Sequence, residues 1–96
     1  MKKISFKKAI EVLGYEIVKY NKGYNYRSAF AKDDRDQMWY FNIEDLRDSE
    51  PTLMYRTAND EKDYTGGTNR YDMNDRLRIL GYEVKEPRIE CDYNSN

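Results

Sequence analysis

The sequence predicts an α+β fold: a small antiparallel sheet, made of a three-stranded meander plus one or two further short strands, packed by two short helices. Three observations predict it. Two segments carry apolar residues at helical spacing and run into a Gly, three successive segments alternate with period 2 between turn residues, and the densest apolar run, Gln37 to Ile43, lies in the last of those three. At 96 residues the chain fits one domain, taken as 1–87 with a polar, frayed tail over 88–96.

The first helix is expected over 6–13. Ser5 is placed to cap it, Phe6, Ala9, Ile10 and Leu13 form its apolar stripe, and Gly14 stands where a left-handed C-terminal cap is wanted. Lys7 and Lys8 in its first turn oppose the helix dipole, so packing rather than propensity must hold it.

Tyr15 to Tyr20 reads as a strand. Asn21, Lys22 and Gly23 supply a turn in which Gly23 takes positive φ, and Tyr24 to Ala31 returns as a second strand, with Tyr24, Tyr26, Ser28 and Phe30 on one face and Asn25, Arg27, Ala29 and Ala31 on the other. Asp33, Asp34, Arg35 and Asp36 make the next turn. The central strand follows, Trp39, Phe41 and Ile43 sharing one face and Met38, Tyr40 and Asn42 the other. A buried Trp or Phe removes roughly 150 to 250 Å² from water, worth about 4 to 6 kcal/mol, so the core is built around this run.

Glu44 to Asp48 has room for one helical turn before Pro51, and Thr52 to Thr57 alternates as a fourth strand. Ala58 to Asn69, polar and holding Gly66 and Gly67, reads as a flexible loop. Asp72 caps a second helix, Met73 to Leu80, and Gly81 leads into a short strand, Tyr82 to Lys85. Shifted by 67 positions, residues 5–16 and 72–83 match in cap, stripe and a shared Leu-Gly-Tyr-Glu exit. Such signals are general to short helices feeding strands, and two units fall short of the three that repeat arrays need.

Composition excludes several function classes. Histidine is absent, which removes the commonest general base and transition-metal ligand. The single Cys91 supports neither a disulfide framework nor a metal cluster, so a reducing cytoplasm is the expected compartment. No apolar run reaches the roughly 18 residues of a membrane span, and Lys2 and Lys3 are not followed by a signal-peptide apolar region. Glu83 and Lys85 with Asp72 and Asp75 superficially match a metal-nuclease pattern, but a helix stands where adjoining strand ends are required. Asp33, Asp34 and Asp36 lack the Gly and Glu of a calcium loop, and Gly66, Gly67 and Thr68 lack the Lys of a phosphate loop. The expectation is a protein that is not an enzyme and takes no cofactor and no metal.

Charge is close to balanced overall yet polarised along the chain: residues 1–32 carry +6, residues 33–63 carry −6, and residues 64–96 carry −1. Two constellations follow. One interleaves Lys19, Tyr20, Lys22, Tyr24, Tyr26 and Arg27 on a hairpin, the ingredients of a surface for single-stranded nucleic acid, although strand-face aromatics are more often packing. The other is the acidic block, of which Asp33, Asp34, Asp36, Asp45, Asp48, Glu50, Asp60, Glu61 and Asp63 are the candidate partner contacts together with Tyr64. Spaced carboxylates mixed with Tyr suit a protein partner with a basic surface, including a nucleic-acid-binding protein whose groove they would occupy as phosphates do. Size, the acidic and Tyr-rich composition and the missing catalytic groups resemble small early proteins of phages and mobile elements, anti-CRISPR proteins among them. The resemblance is one of composition, with no motif behind it. The expectation is therefore a protein-binding inhibitor or adaptor, monomer or homodimer, with nucleic-acid binding as the alternative and no membrane partner.

Overall fold

The computed structural model describes residues 1–23, 26–44, 52–65 and 71–85. In chain order these form β1 (Lys2–Ile4), α1 (Phe6–Val12), β2 (Glu16–Lys22), β3 (Tyr26–Lys32), β4 (Met38–Glu44), β5 (Met54–Thr57), β6 (Tyr71–Asp72), α2 (Asn74–Ile79) and β7 (Tyr82–Val84). Strands β2 to β6 make one antiparallel sheet in sequence order, while β1 and β7 pair in parallel as a separate two-stranded ribbon. Residues 24, 25, 45–51, 66–70 and 86–96 lie outside the description, and with them the expected turn after Glu44, the glycine pair, the tail and Cys91.

The meander forms with β4 at its centre. Register aligns Ala31 with Trp39, Phe30 with Tyr40 and Ala29 with Phe41, and on the far side Phe41 with Tyr55 and Tyr40 with Arg56. Pleating then sorts the sheet into two faces. The helix face buries Ala29, Ala31, Phe41, Ile43 and Leu53 against Phe6, Ala9 and Ile10 of α1 and against Met73 and Leu77. The small side chains at 29 and 31 leave room above the sheet for the bulky helix residues. The other face carries a second cluster of Phe30, Met38 and Ala58 with Tyr40 packed against it, and residues 58–65 lie over it.

Both helices end alike. Leu13 and Leu80 are right-handed C-caps, and Gly14 and Gly81 follow at φ 98° and 93°. Their N-termini differ. The Ser5 hydroxyl accepts from Lys8 N–H as its position predicts, whereas α2 starts at Asn74 and Asp72 Oδ1 accepts from Asn74 N–H at 2.7 Å. The repeated segments also diverge in use, since α1 feeds the edge of the large sheet and α2 feeds the ribbon.

Four expectations need correction. Tyr82–Val84 forms the expected short last strand but lies outside the antiparallel sheet; it pairs in parallel with β1, whose sequence Lys-Lys-Ile is too short and polar to show a period. Tyr71 and Asp72 add a fifth strand to the large sheet, specified by pairing to Met54 and Tyr55 rather than by their own pattern. Gly23 is not among the residues with positive φ; what it provides is space, because a Cβ there would collide with the Tyr26 ring. Finally, the described part of the 58–69 loop is packed. Ala58 is buried, its N–H donates to Met38 O, and the Tyr64 ring meets Phe30 edge-on at 5.1 Å.

Candidate functional site

The acidic block divides into three environments. Asp36, Asp60 and Glu61 line an open groove of about 530 Å³ beside the β3–β4 turn, with Lys32 and Lys62 among its lining and the buried Met38 and Ala58 beneath. Hydrogen bonds bring these distant segments together. Gln37 Nε2 donates to Met38 O at 2.8 Å and to Ala58 O at 3.2 Å, tying the turn to the loop. The loop keeps its shape through Asp60 Oδ1, which accepts from Lys62 N–H at 2.8 Å. Asp36 sits at φ 69° and 3.6 Å from Lys32 Nζ, a pair exposed enough to contribute little to stability. Its carboxylate and those of Asp60 and Glu61 remain open to solvent.

Asp33 and Asp34 belong elsewhere. Asp33 is consumed by its own turn: Oδ1 accepts from Arg35 and Gln37 N–H at 2.9 Å each, and Oδ2 accepts from Trp39 Nε1–H at 3.0 Å. The bond from Trp39, with the two backbone bonds behind it, holds the Asp33 carboxyl below its ordinary pKa. Asp34 lines a second pocket of about 340 Å³, between Leu13 to Tyr15, Arg35 and Arg76.

Asp63 points inward. Its carboxylate lies 4.0 Å from Arg56 Nη1, and its carbonyl accepts from Arg56 Nη2 at 2.6 Å. Arg56 is 1% exposed and stacks over Tyr40 at 4.5 Å from the ring centroid. Sequence reasoning missed this arginine. Alternation did place residue 56 on the face opposite Tyr55, yet nothing local showed that Asp63, seven positions on, would fold back to meet it. Lys32, Gln37 and Lys62 of the groove were also missed, since they matter only once turn and loop are adjacent. Asp45, Asp48 and Glu50 lie outside the described residues.

Tyr64 and the hairpin meet each other. Asn21 Nδ2 donates to the Tyr64 hydroxyl at 3.1 Å, and Lys19 Nζ lies 5.4 Å from the Tyr64 ring centroid. Hydrogen bonding from Lys19 first, then from Asn21, lowers the Tyr64 pKa. Lys19 opposes Phe30 and Tyr20 opposes Ala29, so the two point to opposite faces of the sheet. Tyr20 packs on Phe6 with ring centroids 6.1 Å apart and lies under Lys7, while Tyr26 covers Gly23. Arg27 Nη1 donates to the carbonyls of Gly23 and Tyr26, and Lys22 is exposed. Tyr24 lies outside the described residues. The hairpin aromatics thus form no continuous stacking platform among the described residues.

The acids upstream of Glu83 and Lys85 are engaged locally, Asp75 with Arg78 at 2.8 Å and Asp72 with Asn74. Among the described residues no group of three or more His, Cys, Asp or Glu side chains is placed to hold a metal ion, and no helix is long and apolar enough to cross a membrane. No family model, curated protein or solved structure matches this chain.

Proposed function

We propose that the protein is a non-enzymatic protein-binding domain, an inhibitor or adaptor that engages the basic surface of a nucleic-acid-binding protein in the cytoplasm. A phage or mobile-element anti-defence protein of the anti-CRISPR kind is the setting its composition resembles. One observation carries the reading: Asp36, Asp60 and Glu61, from segments more than twenty residues apart, converge on one open groove with their carboxylates in solvent. Such a groove takes a Lys or Arg side chain of the partner, its aliphatic stem over Met38 and Ala58 and its charged head between the acids. The alternative, single-stranded nucleic acid on the Lys19 to Arg27 hairpin, is less favoured because Lys19, Tyr20, Tyr26 and Arg27 already have intramolecular contacts.

The test is a triple charge reversal, Asp36→Lys, Asp60→Lys and Glu61→Lys. Tagged wild-type protein is expected to capture a basic nucleic-acid-binding protein from its native cell. Against that purified partner the variant, its fold checked by circular dichroism, should associate at least tenfold more slowly at low salt. Equal association rates for the two proteins would remove the groove from the account.

A further inference from the structure

On the opposite side of the sheet from the groove lie five exposed lysines, of which only Lys7 has a partner among the described residues, the Tyr20 ring. Lys2 and Lys3 lie on β1, Lys7 and Lys8 occupy the outer side of the first turn of α1, and Lys85 follows β7. Backbone pairing brings their segments together: Lys85 N–H donates to Ile4 O at 2.9 Å, beside Ser5, which caps the helix bearing Lys7 and Lys8, while Lys2 and Lys3 alternate across β1. All five side chains are exposed. Among the described residues Glu83, opposite Lys3, and Glu11, one turn beyond Lys7 and Lys8, are nearby acids. Among the described residues none of the five ammonium groups has a carboxylate within ion-pair distance.

This arrangement works against the fold. Positive charge in the first turn of a helix meets the positive end of its dipole, and α1 has no acidic residue there to offset it. Like charges crowded on β1 and α1 repel one another. Places where local rules are broken are where a partner is to be sought.

We propose that the β1–α1 face binds the phosphate backbone of double-stranded nucleic acid, independently of base sequence. A phosphate array needs only spaced cations on adaptable stems, which is what five exposed lysines offer. Other partners fit less well. A single strand wants stacking surfaces, and Tyr20, the ring beside Lys7, is taken up by Phe6 and by Lys7 itself. An anionic bilayer wants an apolar face to insert, whereas Phe6, Ala9 and Ile10 of α1 are wholly buried. An acidic protein wants an aromatic or Arg anchor, and among the described residues lysines alone supply the positive charge of this face. The acidic groove does not cancel the attraction. The groove lies on the other face of the sheet from α1, and at 0.1 M salt exposed charges are screened over roughly 10 Å.

The test is fluorescence anisotropy of a labelled 20-base-pair DNA duplex titrated with the full chain, between 25 and 200 mM salt. Three variants accompany the wild type: Lys2→Gln/Lys3→Gln/Lys7→Gln/Lys8→Gln, the hairpin pair Lys19→Gln/Lys22→Gln, and the groove triple reversal. Expected is binding at low salt that weakens as salt rises, with a slope of log K against log salt of about −0.9 per phosphate neutralised. The quadruple variant should flatten that slope by at least two and weaken 25 mM binding tenfold or more. The hairpin pair should leave both unchanged, and the groove reversal should leave the face occupied. Absence of duplex binding at 25 mM salt, equal loss in the hairpin pair, or binding to vesicles of anionic lipid but not to the duplex would each overturn the proposal. Because the quadruple variant keeps its groove, its affinity for a protein partner reports on the preceding reading separately.

Discussion

The indole N–H of Trp39 donates to the Asp33 carboxylate across 3.0 Å, joining the sole tryptophan to the turn that leads into its own strand. Two further backbone donors, from Arg35 and Gln37, complete the set around that carboxylate. Because the folded protein holds the Asp33 pKa below its ordinary value, the ionised form stabilises the fold. That contribution is fully present above the ordinary Asp value near pH 4 and is lost as pH falls through the lowered folded value. Asp33→Asn should therefore lower Tm at pH 7 and remove part of the acid-side decline of the wild type below pH 4. Trp39 emission should shift to longer wavelength in the variant at neutral pH. Matching Tm curves against pH for the two proteins would rule out this role.

Much of this architecture was legible in the sequence because local patterns and tertiary packing agree. The period-2 runs, the Ser5 cap and the glycines after both helices all formed near their expected positions. What escaped was specified from a distance. Lys2–Ile4 becomes a strand only through β7, nearly eighty residues on, and Tyr71–Asp72 only through β5. The candidate site shows the same split. The acidic residues were legible as a group, but which of them are free depends on partners outside that reading: Trp39 takes Asp33, Arg56 takes Asp63, and Asp36 meets Asp60 and Glu61 only after Gln37 ties turn to loop.

Gly14 and Gly81 offer a clean measure of helix termination. At both, a Cβ would meet nothing within 4 Å, so substitution by Ala costs only the left-handed backbone conformation. Gly14→Ala and Gly81→Ala should each lose about 1–2 kcal/mol in urea unfolding, and Asn at either position should lose less. Losses well above that range at one site alone would reveal a packing role there.

Hydrogen bonds from Lys19 and Asn21 hold the Tyr64 pKa below its ordinary value, so its phenolate step reports on the contact between the hairpin and residues 58–65. Lys19→Met removes the largest cause of that shift, and Asn21→Ala the next. The Tyr64 phenolate step, isolated in an ultraviolet titration by difference against Tyr64→Phe, should therefore move to higher pH in Lys19→Met and less so in Asn21→Ala. A step unmoved by either substitution would mean that the hairpin and residues 58–65 part in solution.

Arg56 raises the question of whether its buried charge stabilises the fold or merely demands a partner. The guanidinium has lost nearly all contact with water, and its nearest carboxylate, Asp63, is 12% exposed at 4.0 Å. Removing one member of a buried pair leaves the other uncompensated, whereas removing the cation also removes the need for compensation. Asp63→Asn should thus cost about 1–3 kcal/mol, moderated by the carbonyls of Asp63 and Thr57, which still accept from the guanidinium. Arg56→Met keeps the stem packed on Tyr40 and should cost less, and the double variant should resemble Arg56→Met alone. If Arg56→Met proves the more damaging single change, stacking on Tyr40 and the two carbonyl bonds outweigh the desolvation of the charge. The arginine would then be what holds residues 58–65, and with them the groove, against the sheet.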